Sequence, residues 1–517
     1  MWTTRLWPAT GAPAKEKLVP EKRVSTALRD EELLGVPEGA SSPVAGAEWE
    51  ASWPLGWARA ARVAVLTLTD MLALLAAASL GYLLWARPVL NQSPGVYVDL
   101  GPLLVLFLLG YAGAGLYPGF GLGAVETLRR LSYCTSFAFL VLAAATFVFK
   151  LPPDYSRLSF AITWGVSLVS VPGLRFLVLA VVSRWQWWGE PAVLVGSGQL
   201  VHWAIRSLQN ALSLGYRPVG VLSPDFPWYS RAVEGVPLLG GLELAPHLAE
   251  RGVRVALAGE GQGGNPTLSW LRQHFPHVVM LREYSELPVE PVRVCNLGGV
   301  LGLEFTNNLL RWQNRVMKRL LDFVLGAILL CVALPFIVLV GLMVKLSSQG
   351  PLFFCQEREG LHGRPVKVWK LRTMYPDAER RLEEFLTANP QLRREWEARF
   401  KLVYDPRIIP GVGTFLRRFS IDELPQVLSV LRGEMSFVGP RPFPEYHLRQ
   451  FPPEFRELRR RVRPGLTGMW QVMVRSTGGV QEQKVYDTYY IHNWSIWLDL
   501  YILARTVFAV LAGRGAC

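Results

Sequence analysis

Four apolar runs, at about 61–85, 96–117, 131–150 and 159–180, constrain this chain more than any other feature. Each is close to the ~20 residues that a helix needs to cross a bilayer. Their flanks obey a charge pattern. Arg59 and Arg62 precede the first run, Arg129 and Arg130 separate the second from the third, and Arg175 and Arg184 end the fourth. The alternate loops carry only Arg87, then Lys150 and Arg157. Because basic residues favour the cytoplasmic side, both ends of a four-helix unit over 56–185 are expected there. Four such runs together argue against buried helices of a soluble core. No polar cluster along them marks a transport path, so they read as an anchor.

Composition agrees. Half of the 517 residues are hydrophobic, and mean hydropathy is +0.22. The 19 Trp and 16 Tyr suit a protein with much interfacial surface. A formal net charge of +13 fits anionic lipid, nucleotides or sugar phosphates. Nucleic acid is not expected as a partner, since no nucleic-acid-binding module is recognisable. The five cysteines form no CxxC or zinc spacing and read as packing residues. Residues 1–55, rich in Pro, Ala, Glu and Lys, are expected to form a disordered cytoplasmic tail without a secretory signal.

Residues 186–310 change character. Ala192–Val195 reads as a buried strand, followed by Gly196-Ser197-Gly198 and an apolar helical pattern. Further strands are expected at Val219–Leu222 and Val253–Ala258, giving a Rossmann-like βαβ domain. Val201 stands where the third glycine of G-x-G-x-x-G belongs, so a structural or homodimerising role is favoured over dinucleotide binding.

The run from Phe323 to Val344 is again long enough to span. Pro335 falls within it, and basic residues flank both ends: Lys318 and Arg319 before, Lys345 after. A re-entrant helix over 318–346, broken at Pro335, keeps the basic C-terminal part on one side. A plain fifth span is the alternative.

Beyond Gly350, turn signals, short apolar runs and arginines alternate. Phe353-Phe354-Cys355-Gln356-Glu357-Arg358-Glu359-Gly360, Trp369-Lys370-Leu371-Arg372-Thr373 and Asp405-Pro406-Arg407 come first. Phe415-Leu416-Arg417-Arg418-Phe419-Ser420-Ile421-Asp422-Glu423-Leu424-Pro425-Gln426 follows. Gly439-Pro440-Arg441-Pro442 and Arg463-Pro464-Gly465-Leu466-Thr467-Gly468 close the set.

These blocks, in this order, resemble the bacterial sugar transferase family, the polyprenyl-phosphate hexose-1-phosphate transferases. The four spans and the Rossmann-like middle resemble its large members, such as the undecaprenyl-phosphate galactose phosphotransferases. The resemblance implies a monotopic α/β catalytic domain over 311–517, on the cytoplasmic face of the bacterial inner membrane. It also implies a catalytic Asp-Glu pair at Asp422 and Glu423, with the helix break at Pro335. Leu334, Ser429 and Ile409-Pro410 depart from the usual residues around these positions.

The chemistry follows from the residue types. A nucleotide diphospho-sugar repels an anionic nucleophile until arginine forks and a cation cancel its charge. Mg²⁺ takes one or two carboxylates plus phosphate oxygens. Asp422 is therefore expected to attack phosphorus, forming an acyl phosphate, while Glu423, with Asp422, holds Mg²⁺. Arg441, braced by two prolines, is the leading phosphate or uracil ligand, followed by Arg463. Lys370, Arg372 and Arg407 are further phosphate neighbours, whereas Arg417 and Arg418 are expected to face headgroups. A second reading of the same stretch is local: Ser420-x-x-Glu423 is a capping-box spacing, and Phe419 with Leu424 has the spacing of a hydrophobic staple. The two readings are compatible. Tyr489–Val510 is expected to be an amphipathic interfacial helix.

The function expected is transfer of hexose-1-phosphate, galactose or glucose, from a UDP-sugar to undecaprenyl phosphate, releasing UMP and initiating a surface polysaccharide. The rivals are a non-catalytic membrane scaffold or regulator with a ligand-sensing Rossmann-like domain, and a polytopic transporter.

Overall fold

The computed structural model describes residues 55–93, 101–148, 156–196, 198–223, 232–259, 265–281, 292–297, 300–305, 308–347, 350–389, 391–393, 405–474 and 479–511. Up to residue 54, the expected tail lies outside them. The chain forms two compact units, one ending at Glu283 and the other beginning at Tyr284.

In the first unit, helix α1 (Leu55–Gly81) continues through a π-type turn (Tyr82–Ala86) to Leu90. It packs with α2 (Leu104–Gly113), α3 (Ala124–Val148) and α4 (Arg157–Val182). Ala73 and Leu74, Phe107 and Tyr111, Leu131 and Phe139, and Val171 form the shared seam. The outward faces expose Leu72, Leu109, Phe137, Leu140, Val169 and Leu177, as suits helices whose solvent is hydrocarbon.

Among the described residues, four helices are long and apolar enough to cross a membrane: Gly56–Leu90, Ala124–Ala145, Arg157–Val182 and, in the second unit, Trp312–Leu346. Their number matches the four spans expected, but the membership differs. Among the described residues, the run at 96–117 is helical only over Gly101–Gly113. At 1.5 Å per residue that is about 20 Å, short of the ~30 Å hydrocarbon core. Gly115, at φ 71°, turns the chain away, and Arg130 caps the helix end through Ala114 O at 2.6 Å.

The arginines read as flanks also find partners inside. Arg175 donates to Asp70 Oδ2 at 2.6 Å and to Leu116 O at 2.5 Å, and Tyr117 donates to the same Asp70 oxygen at 2.7 Å. This is a polar cluster that the sequence does not betray, because Asp70 and Arg175 lie 105 residues apart. Arg62, 1 % exposed, donates to Trp188 O at 2.8 Å and Gly215 O at 3.4 Å, tying α1 to the domain that follows. Gly215 must be glycine: its φ is 76°, and a Cβ there would fall 2.0 Å from the Arg62 guanidinium.

That domain is a six-stranded sheet in the order β3-β4-β2-β1-β5-β6. Strands β1 (Glu190–Val195), β2 (Tyr216–Leu222), β4 (Val236–Gly240), β5 (Val255–Gly259) and β6 (His277–Leu281) are parallel, and β3 (Ala232–Val233) is antiparallel to β4. Alternation sends Val193, Val195 and Ala256 to one face, against Leu248 of α5 (Ala245–Glu250) and Leu271 of α6 (Asn265–His274). Ala192, Leu194 and Leu257 face the helix Gln199–Asn210 on the other side, packing on Val201, Ile205 and Leu208. Helices on both faces make the domain Rossmann-like. Val201 serves as a core residue there.

The second unit opens with the antiparallel hairpin β7 (Val292–Leu297) and β8 (Val300–Phe305), which lies within the range 186–310 expected for the Rossmann-like domain. Helix α7 (Trp312–Ser347) follows. The expected break at Pro335 does not interrupt it: proline removes one N–H, and the helix continues through it. Both ends of α7 dock on the same unit. Near its start, Lys318 donates to Asp499 at 2.7 Å, and Asp322 accepts from Ser436 Oγ and Phe437 N, each at 3.0 Å. Near its end, Val340 and Val344 are buried with Leu371 and Leu416, against Val412 and Ile421. Between these anchors Val332, Leu334, Phe336, Val338 and Leu339 stay exposed.

The rest of the unit comprises the hairpin β9 (Phe353–Glu359) and β10 (Pro365–Leu371), helix α8 (Val412–Arg418), a 3₁₀ segment (Ile421–Gln426) and α9 (Val427–Arg432). Strands β11 (Ser436–Val438) and β12 (Gly465–Thr467) pair in parallel, with α10 (Pro453–Arg460) between them. The expected helix over Tyr489–Val510 is two helices, α11 (Val480–His492) and α12 (Ile496–Leu511). Trp494 at their junction is buried, its indole donating to Asp499 at 3.0 Å. Only the distal part of α12 exposes Val507, Phe508 and Leu511.

Candidate active site

The acidic pair sits in a short 3₁₀ segment because the chain reverses just before it. Ser420 adopts φ 54°, in the left-handed region, and its side chain caps nothing. The capping box is therefore not formed. Instead Glu423 turns into the unit, where its Oε1 accepts from Lys370 Nζ at 2.7 Å and Arg441 Nη2 at 2.9 Å. Lys370, near the end of β10, also lies 3.8 Å from Asp422 Oδ2.

Electrostatics divide the pair. Burial raises the Asp422 carboxyl above the usual range; Lys370 partly offsets this, and the Glu423 charge adds to it. Burial acts on Glu423 in the same sense, but Arg441 and Lys370 outweigh it and hold its pKa at about 2. One carboxylate is thus locked as an anion, and its neighbour is poorly solvated.

Arg441 is placed by a tight crossing of two motifs. A Cβ on Gly439 would meet Arg463 O at 2.6 Å, and one on Gly465 would meet Gly439 N at 2.1 Å. Only glycines let the Gly-Pro-Arg-Pro and Arg-Pro-Gly segments approach so closely.

The pair opens on a cavity of about 1720 Å³. Its lining is mixed: it includes the cations Arg358, Lys370, Arg372, Arg417, Arg418 and Arg441, the acids Asp377 and Glu379, and apolar side chains of α7 (Leu325, Ile328, Leu329, Val332) and α12 (Leu503, Val507, Val510).

Of the residues singled out from the sequence, Asp422, Glu423, Lys370, Arg372 and Arg441 share this cavity. Two others are placed elsewhere. Arg407 forms a forked pair with Asp405, at 2.8 and 2.6 Å, within its own loop. Arg463 donates to Gly433 O at 2.9 Å, just past the end of α9, where Arg319 also binds the Val430 and Leu431 carbonyls. Both cations serve the negative end of the short helix behind the pair. Arg417, expected at headgroups, instead reaches Thr373 Oγ1 at 3.0 Å and lies beside Asp422. Arg358 and Trp470 also line the cavity and were not singled out. Arg358 lay within a quoted motif, but nothing local distinguishes it from the other arginines.

Residues 313–513 match the family model described as bacterial sugar transferase, and residues 115–254 match one described as a CoA-binding domain. The UDP-galactose-lipid carrier transferase of Erwinia amylovora is 31% identical over 369 residues, 70% of this chain and 77% of that protein. The undecaprenyl-phosphate galactose phosphotransferase of Salmonella typhimurium is 31% identical over 370 residues, with the same coverage. The exopolysaccharide production protein ExoY of Sinorhizobium fredii is 40% identical over 201 residues, 39% of this chain but 88% of that protein. The chain belongs to the bacterial sugar transferase family and is an enzyme of the phosphoglycosyl transferase type, in a multi-pass membrane setting. Membership decides against the scaffold and transporter readings.

Proposed function

We propose that the protein transfers hexose-1-phosphate from a UDP-sugar, UDP-galactose or UDP-glucose, to undecaprenyl phosphate, initiating a surface polysaccharide. The observation that carries this reading is the mixed lining of one cavity. Its cations suit a diphosphate, its apolar side chains suit a polyprenyl chain, and the Asp422–Glu423 pair opens on the same space.

The Asp422 carboxylate attacks the phosphorus that bears the sugar. The bond from that phosphorus to the bridging oxygen breaks, the oxygen keeps the electron pair, and UMP leaves. The resulting aspartyl phospho-sugar is then attacked by a phosphate oxygen of undecaprenyl phosphate, which frees Asp422 and forms the new diphosphate linkage. Poor solvation favours Asp422 as the nucleophile, while Lys370 and Arg441 offset negative charge on the diphosphate.

Among the described residues no group of three or more metal-ligating side chains occurs. Two adjacent carboxylates alone still fit Mg²⁺, which completes its shell from phosphate oxygens and water. Glu423 and Asp422 would hold it, and its charge would neutralise the diphosphate.

Although α7 runs unbroken through Pro335, its two ends pack on one unit, which supports both ends lying on one side of the membrane, as a re-entrant course requires, and not on opposite sides as in a plain span. With the basic flanks, this favours a cytoplasmic catalytic unit. Cysteines introduced at the exposed positions Phe323 and Leu346, one at each end of the run, should both be labelled from the cytoplasmic side only.

The deciding experiment supplies full-length protein, Mg²⁺ and a panel of UDP-sugars, with and without undecaprenyl phosphate. Labelled UDP-sugar alone should leave a sugar phosphate on the protein together with stoichiometric UMP. UMP released only when the lipid is present, with no adduct, would exclude the aspartyl route.

A further inference from the structure

We infer that Arg459 and Asp487 are positioning residues for Arg441, fixing its main chain so that its side chain stays aimed at Glu423 and the diphosphate. The inference rests on the role proposed for Arg441. Three successive carbonyls around that residue are each held from a different direction. Pro440 O accepts from Gly465 N at 2.9 Å, Arg441 O accepts from Arg459 Nη2, and Pro442 O accepts from Arg358 Nη1 at 2.7 Å.

The middle contact is a built one. Arg459, on α10, is buried, and its other terminal nitrogen donates to the buried Asp487 of α11. Its guanidinium carbon lies 5.1 Å from the ring centre of Phe443, 5.2 Å from Phe451 and 5.7 Å from Phe455. The carboxylate sets the fork's direction, and the rings exclude water. One fork therefore spans Asp487 and the Arg441 carbonyl, which a lysine cannot do. Neither Arg459 nor Asp487 lines the cavity, so an effect on catalysis must pass through Arg441. Burying an ion pair costs desolvation that an apolar pair avoids. Its purpose here is directional: it presents a charged donor to a single carbonyl of the substrate-facing loop.

The test is a double-mutant cycle on the full-length protein, reading UMP release from the preferred UDP-sugar with undecaprenyl phosphate. Arg459→Lys and Asp487→Asn should each lower kcat/KM for the nucleotide sugar at least tenfold. In an Arg441→Lys background the same changes should cost less than about twofold, because residues acting through one another are not additive. Losses that simply multiply would overturn the inference, as would wild-type kinetics in either folded single variant. Should Asp487→Asn fail to fold, Arg459→Lys, which keeps the buried charge, completes the cycle alone. Failure of both to fold would make the pair a general prop of the fold and also overturn it. Wild-type kinetics in Arg441→Lys itself is the separate outcome that removes the role of Arg441.

Discussion

Asp70, fully buried, and Glu423, partly buried, are both carboxylates paired with arginine, yet they are held in opposite ways. Asp70 meets Arg175 at 2.6 Å between helices α1 and α4, both side chains at most 2 % exposed, with Tyr117 on the same oxygen. Glu423 meets Arg441 and Lys370 at the edge of a large cavity, and those two cations remain about a quarter exposed. A sealed pair can only hold helices together. An open pair leaves cationic donors facing a space that a diphosphate can enter. Access, more than charge, separates structure from chemistry here.

The comparison is sharpened most by Asp422→Asn. Transfer and the covalent adduct should fall by at least about 10³-fold, the scale of losing a reacting group, while the thermal unfolding midpoint in detergent stays near wild type. A folded variant with full turnover would return the acidic pair to a structural role. Asp70→Asn should do the reverse. It leaves Arg175 buried without its counter-charge, costing about 3 kcal/mol of stability, and the protein that remains folded should keep its kcat. Loss of kcat in fully folded Asp70→Asn would erase the distinction between the sealed and open pairs.

Smaller effects probe the surroundings of the open pair. Arg463→Met removes a cation from the end of α9 and should cost about 1 kcal/mol of stability, with KM for the UDP-sugar unchanged. A raised KM would return Arg463 to the substrate. The smallest effect expected is on pH dependence. Asp422 must be ionised to attack, so activity falls as pH drops through its raised pKa. Glu423, held at about 2, contributes a negative charge at every working pH and pushes Asp422 further up. Glu423→Gln removes that charge, so the acid limb of its residual activity should move to lower pH by less than about one unit. An unmoved limb would mean that the two carboxylates are not coupled.

Much of this molecule was legible in advance because the signals are local. Hydropathy over ~20 residues marked the long helices. Short apolar runs with a glycine turn marked three parallel strands, and the order of motifs after Gly350 marked the family. Local signals also misled where a longer-range contact overruled them. Ser420-x-x-Glu423 has the spacing of a capping box, but Glu423 gains two cations by turning inward. The run at 96–117 is apolar enough to span, yet within it the described helix ends before Gly115.

By itself, then, the sequence determined which segments are apolar, where the chain turns and which residue types carry the chemistry, since these depend on neighbours along the chain. Only the tertiary structure decided which charges meet. Lys370 reaches Glu423 across 53 residues, Arg441 across 18, and Arg175 reaches Asp70 across 105. Arg407 and Arg463 each stand beside one proline where Arg441 stands between two, but it is packing that gives one to Asp405 and the other to a helix end. An ionic side chain is committed by whichever opposite charge or carbonyl the fold leaves desolvated beside it, and that choice is made by packing.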